Sequence, residues 1–137
     1  MLIPATTFAD SFSMNGAAFV PSDVAVSGNE YITTSGTIKL SPTYGTPSRY
    51  HYVVPMTQSS MTHIEIGASG SADVCLEYIN KANSTDIGDL GCASGNGSSS
   101  YQIVTTSFTG YDPSGYYYVL LLELNGSADA LYYVTLY

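Results

Sequence analysis

The side chains best equipped for chemistry gather at the end of the chain. There YYYVLLLELNGSADALYYVTLY supplies Tyr116, Tyr117, Tyr118, Tyr132, Tyr133 and Tyr137 around a leucine ladder. Neighbours on a strand face opposite ways, so these phenols do not all enter one core. Some rings must meet solvent or a partner, and a tyrosine serves either, since it joins an apolar face to a polar tip. Tyr116, Tyr118, Tyr133 and Tyr137 are expected at a subunit interface. Tyr44, Tyr50, Tyr52, Tyr101 and Tyr111 are expected to stack on a glycan if the surface binds one. Cross-strand packing at the rim of a sandwich is the plainer use of the same rings.

Cys75 and Cys92 are the only cysteines. They either form a disulfide across a loop of about 17 residues, adding roughly 3 kcal/mol, or stay as two buried thiols. No metal is expected: a zinc site needs more ligands, and the two histidines, His51 and His63, fall on different expected strands. Asn80, Asn83, Asp86 and Asp89 carry oxygens that suit calcium, but their spacing is not that of a 12-residue calcium loop, and Asx turns explain them equally well. The sequons at Asn83, Asn96 and Asn125 arise readily in a chain this rich in Ser, Thr and Asn.

Catalysis has little support. The chain has no G-x-S-x-G elbow, phosphate loop or dinucleotide fingerprint. Glu65 and Glu77 would face each other across a hairpin, as a glycosidase pair would, yet solvent-facing positions account for both. No catalytic residue and no cofactor is expected.

Charged residues are 10% of the chain, and the net charge of −8 reflects a shortage of cations: only Lys39, Arg49 and Lys81 are basic. Nucleic acid needs a clustered basic footprint and anionic membranes need basic segments, so neither is an expected partner. No stretch is apolar for the roughly 18 to 20 residues that a membrane helix requires.

The elements that must position these residues are strands. Ser, Thr, Gly and Tyr dominate, and strong helix formers are scarce. Residues 1–16 read as an arm or lead-in, and 17–137 as one β domain. Strand signals run over AAFVPSDVAV, over a short hairpin meeting at Ser35-Gly36, and over RYHYVVPM. A clearer hairpin joins MTHIEIG to ADVCLEYI through ASGS. The segment NKANSTDIGDLGCASGNGSSS reads as a long loop. YQIVTTSFTGY, Tyr116 to Leu124 and Leu131 to Tyr137 complete the set. YVLLLEL is apolar on both faces, which predicts a central strand covered on both sides. Roughly eight or nine short strands without a long helix predict an all-β, antiparallel β-sandwich, jelly-roll-like, with immunoglobulin-like strand order as the alternative.

The opening MLIPATTFADSF has no basic n-region and no apolar h-region, so synthesis in a cytoplasm without a Sec signal is expected. With the missing basic residues and the Tyr/Ser/Thr-rich β pattern from Val20 to Tyr137, this start resembles a capsid decoration (cement) protein of a tailed bacteriophage. The resemblance implies a virion-surface protein that stabilises the shell by binding the major capsid protein or other virion subunits, and a homo-oligomer, with a trimer favoured. Leu2, Ile3, Phe8 and Phe12 would dock the arm on the capsid beside the tyrosine interface. The alternative is a carbohydrate- or receptor-binding β-sandwich module of a phage fibre or secreted protein.

Overall fold

A computed structural model describes residues 11–21, 30–40, 48–55 and 60–137. Its strands are β1 (Phe12–Asn15), β2 (Val20–Pro21), β3 (Glu30–Ile32), β4 (Ile38–Leu40), β5 (Ser48–Val53), β6 (His63–Ser69), β7 (Asp73–Asn80), β8 (Asp86–Ser94), β9 (Gln102–Ser107), β10 (Tyr116–Leu124) and β11 (Ala130–Leu136), with one 3-10 turn at Gly16–Ala18. They form two antiparallel sheets. Sheet A runs β3-β4-β11-β6-β9, with β1 also pairing to β11, and sheet B runs β2-β5-β10-β7-β8. From β4 onward, apart from the β7–β8 hairpin, the chain changes sheet at each connection, as a jelly roll does.

Period-2 alternation builds the core. Sheet A turns Ile64, Ile66, Ala68, Leu131, Val134 and Leu136 inward, and sheet B meets them with Tyr50, Val74, Leu76, Tyr118, Leu120, Leu122 and Leu124. The outward positions of both sheets lie open among the described residues.

Several expectations change. The described residues form eleven strands where eight or nine were expected, and Ala17 and Ala18, expected in a strand, lie in the 3-10 turn before β2. MTHIEIG and ADVCLEYI are not a hairpin, because β6 lies in sheet A and β7 in sheet B. The connection is held by Asp129, a buried carboxylate. It accepts the backbone N–H groups of Ser71 at 2.8 Å, Asn125 at 2.7 Å and Gly126 at 3.3 Å, tying the β6–β7 turn to the β10–β11 turn. Gly70, at φ +67°, lets the backbone pass so close that a methyl there would strike the Asp129 carboxylate. Within the expected loop 80–100, residues Asp86–Ser94 form β8, paired to β7 with two register shifts. Part of the expected lead-in, Phe12–Asn15, is β1, and Phe12 stacks on Tyr52 at 5.7 Å. Strand β10 is central, as read, yet only one of its faces is covered by the other sheet.

Candidate functional site

The outer face of sheet A is a platform of rings and hydroxyls. Strand pairing sets its rows: Ser13 beside Thr135, then Glu65, then Thr105; and Asn15 beside Tyr133, then Gly67, then Ile103. Gly67 makes room for the Tyr133 ring. Its Cα carries no side chain, so the Tyr133 ring lies across it, and a methyl there would overlap that ring and approach the Tyr101 hydroxyl to 2.7 Å. The register of β6 and β11 slips between Leu131 and Tyr133. The bulge places Tyr132 where its ring meets Tyr101 edge-on at 4.9 Å.

Glu65 is the one carboxylate of this face among the described residues. It accepts the Tyr133 hydroxyl at 2.9 Å and the Thr105 hydroxyl at 3.4 Å. Burial of the ring, followed by the bond to Glu65 and its negative charge, holds the Tyr133 phenol well above its ordinary pKa, so it stays protonated and donating. At the far end Tyr137 stacks on His63 at 4.9 Å with the planes 5° apart, and the Thr62 hydroxyl lies 2.7 Å from His63 Nδ1. Ser13 and Thr135 hydroxyls share a 2.8 Å bond. Tyr101 is 52% and Tyr137 39% exposed, so both residues reach solvent. A shallow hollow of about 380 Å³ lies against Ser13, Asn15, Tyr133 and Thr135.

The opposite outer face, that of sheet B, has other chemistry. One row reads Val20, His51, Leu121, Cys75, Cys92, and the next Val53, Val119, Glu77, Asp89. A charged row, Arg49, Glu123, Asp73 and Ser94, borders them, with Arg49 3.1 Å from Glu123 and the Ser94 hydroxyl bonded to Asp73. Cys75 and Cys92 stand opposite each other on β7 and β8 and are bonded as a disulfide, so the structure realises the bridge and not the pair of free thiols. Their sulfurs, near Asp89, are therefore not thiolate ligands. Glu77 is pushed up to about 7 by burial first, then by its bond to Asp86 and the charges of Asp86 and Asp89. A depression of about 480 Å³ lies between Arg49, Leu121, the disulfide and the carboxylates.

The rings expected in functional roles divide. Tyr101, Tyr133 and Tyr137 meet on the sheet A platform. Tyr50 and Tyr118 are corrections: both are enclosed in the core, where neither can stack on a sugar or touch a partner. The hydroxyl of Tyr118 is satisfied by accepting the Asp112 N–H at 2.7 Å. Tyr111 stacks on Tyr118 at 4.2 Å at one end of the sandwich, and burial pushes its phenol up to about 12. Tyr52 is partly covered by Phe12 and Phe19, and Tyr116 packs edge-on against Tyr78 at 5.2 Å. Leu2, Ile3, Phe8 and Tyr44 lie outside the described residues. Glu65 and Glu77 occupy opposite outer faces and cannot act as a pair. Asn80, Asn83 and Asp86 each accept the N–H two residues on, at 2.8, 3.0 and 2.9 Å, as Asx turns do.

Sequence reasoning missed Tyr132, His63, Glu65 and Thr105 as platform members. Alternation in β6 and β9 places the last three outward, but only the strand order brings them to Tyr133.

No protein-family model and no curated protein matches this chain. Solved structures do share its fold. The CBM36-1 domain of a multidomain xylanase from the hindgut metagenome of Trinervitermes trinervoides superposes with a TM-score of 0.57 at 14% identity, covering 93% of this chain and 96% of that one. The C-terminal CBM6 of LamC, a marine laminarinase from Zobellia galactanivorans, gives 0.54 at 13%, covering 92% and 98%. CsCBM6-3 from Clostridium stercorarium, solved with cellobiose, gives 0.57 at 11%, covering 91% and 92%. At such identities the likeness is one of fold, a β-sandwich shared with carbohydrate-binding modules. None of these three is a capsid protein.

Proposed function

We propose that this chain is a non-catalytic carbohydrate-binding module and that the outer face of sheet A receives the sugar. The observation that carries the reading is the platform itself: Tyr133 laid across Gly67, with Tyr101 and Tyr132 beside it, Tyr137 on His63 at the far end, and one oriented carboxylate, Glu65, among hydroxyls. A pyranose offers an apolar face of C–H groups and a rim of hydroxyls. Rings take the first, and Glu65, Thr105, Ser13 and Thr135 take the second. The fold shared with carbohydrate-binding modules supports this reading over capsid decoration.

A net charge of −8 repels uronic and sulfated polymers, so a neutral polysaccharide is the expected ligand class. Cellobiose bound to one of the similar structures makes β-linked gluco-oligosaccharides the natural first probes. Titration of cellohexaose, laminarihexaose and xylohexaose into the labelled chain, followed by amide NMR, is the test. Shifts should gather at Glu65, Gly67, Thr105 and Tyr133, and Tyr101→Ala should weaken binding roughly fivefold, for about 1 kcal/mol of ring contact, with Tm unchanged. Shifts elsewhere, or none at millimolar sugar, would overturn the reading.

A further inference from the structure

The outer face of sheet B has no task in sugar binding. It is largely aliphatic, with His51 between Val20 and Leu121 and the exposed Tyr117 ring two residues before Val119, and nothing among the described residues covers it. Val53 is 62% and Val20 49% exposed, while Val119 and Leu121 lie half-buried beside them. All four share two adjacent rows of one sheet. A β10 sequence apolar on both faces is that of a strand covered on both sides, yet among the described residues only one side is covered. A bare aliphatic sheet face of this kind is usually an interface.

Charge selects the occupant. Asp73, Glu77, Asp86, Asp89 and Glu123 lie in or beside the aliphatic rows. The two cations at its margin are engaged: Arg49 pairs with Glu123, and Lys81 donates to the Pro113 carbonyl at 2.6 Å while sitting 5.2 Å above the Tyr117 ring. A second copy would set acid against acid, since the chain has only three cations and two of them are these. An amino sugar would meet the charge, but the depression beside Leu121 is lined by leucines, the Cys75 sulfur and charged side chains, and the exposed Tyr117 ring of this face lies outside that lining with the Lys81 ammonium over it. We infer that the outer face of sheet B docks a basic polypeptide, with aliphatic side chains seated on Val53, Val119 and Leu121 and Lys or Arg reaching Glu77 and Asp89.

The test titrates the full chain with the peptide acetyl-Lys-Val-Lys-Val-Lys-amide and reads amide shifts. Its Glu-for-Lys counterpart and a fully deacetylated glucosamine hexamer serve as comparisons. The lysine peptide should shift Val53, Glu77, Val119 and Leu121 and leave Glu65 and Tyr133 unmoved, while the glutamate peptide does nothing. The double variant Glu77→Gln with Asp89→Asn should weaken binding about tenfold at low salt. Val53→Ser, at an exposed position that the fold does not need, should weaken it about threefold by removing apolar contact alone. Unchanged affinity in both variants, shifts scattered over the whole surface, or tighter binding of the glucosamine hexamer at the same amides would each overturn the proposal.

Discussion

The two outer faces are built by the same alternation on the same sandwich and carry opposite chemistry. On sheet A the outward positions of β1, β6, β9 and β11 hold Ser13, Glu65, Thr105, Tyr133 and Thr135, a surface of rings and hydroxyls with a single acid among the described residues. On sheet B the outward positions of β5, β7, β8 and β10 hold Val53, Val119, Leu121, Glu77 and Asp89, aliphatic rows beside carboxylates. The core is indifferent to this choice, because outward residues contribute little to burial between the sheets. The difference teaches that strand pairing fixes which outward residues become neighbours, while residue type fixes what the resulting face can hold.

The strongest way to break the comparison is to remove what both faces share. Asp129→Ala takes away the acceptor for three backbone N–H groups at the joined turns. It should cost about 2–4 kcal/mol, since each group loses a charge-assisted bond and the losses overlap. Denaturant unfolding should show it, and ligands of both faces should bind more weakly as the folded fraction falls. A loss confined to one face would contradict the shared foundation.

A cut to sheet B alone comes next. The Cys75–Cys92 bridge joins β8 to β7 across a separation of 17 residues. Replacing both cysteines by alanine should lower stability by about 3 kcal/mol through the freed unfolded chain. Sugar affinity on sheet A should hold at temperatures where the variant stays folded. A sugar-binding loss under those conditions would mean that the faces are coupled.

Gly67→Ala is the matching cut to sheet A. The new methyl displaces the Tyr133 ring, and with it the hydroxyl that orients Glu65. Affinity for the sugar should fall about tenfold, by roughly 1.4 kcal/mol. Unfolding should change little, because the ring can swing into solvent. Affinity equal to the parent chain would remove Tyr133 from the site.

Much of this division was legible in the sequence, and the rest was hidden for physical reasons. YVLLLEL announced a central strand, and the all-β class followed from the turn-rich, helix-poor composition. Tyr101, Tyr133 and Tyr137 are among the nine rings that residue type and alternation assign to a surface role. Tyr50 and Tyr118 could not be told apart from them, since a phenol enters a core wherever the packing allows, and for Tyr118 a partner such as the Asp112 N–H meets its hydroxyl. Strand β8 was masked by glycines and aspartates that read as loop but alternate against β7 through two register shifts. The ASGS turn looked like a hairpin because local signals do not say whether the next strand pairs in the same sheet. Glu65 and Glu77 fell on opposite faces for that one reason.

The smallest expected effect tests the acid of sheet B. Glu77 titrates near 7 in the folded chain against an ordinary value of 4.5, because burial and the neighbouring Asp86 and Asp89 disfavour its charge. The folded state therefore holds this proton more tightly than the unfolded chain does. Its contribution to stability is fully present below about 4.5 and is lost as pH rises through about 7. Much of the side chain meets solvent, so the penalty at pH 8 should be under about 1 kcal/mol. Glu77→Gln removes the titration, and its Tm relative to the parent should climb across that window and level off above it. A difference that stays flat from pH 4.5 to 8 would show that Glu77 carries its charge without cost.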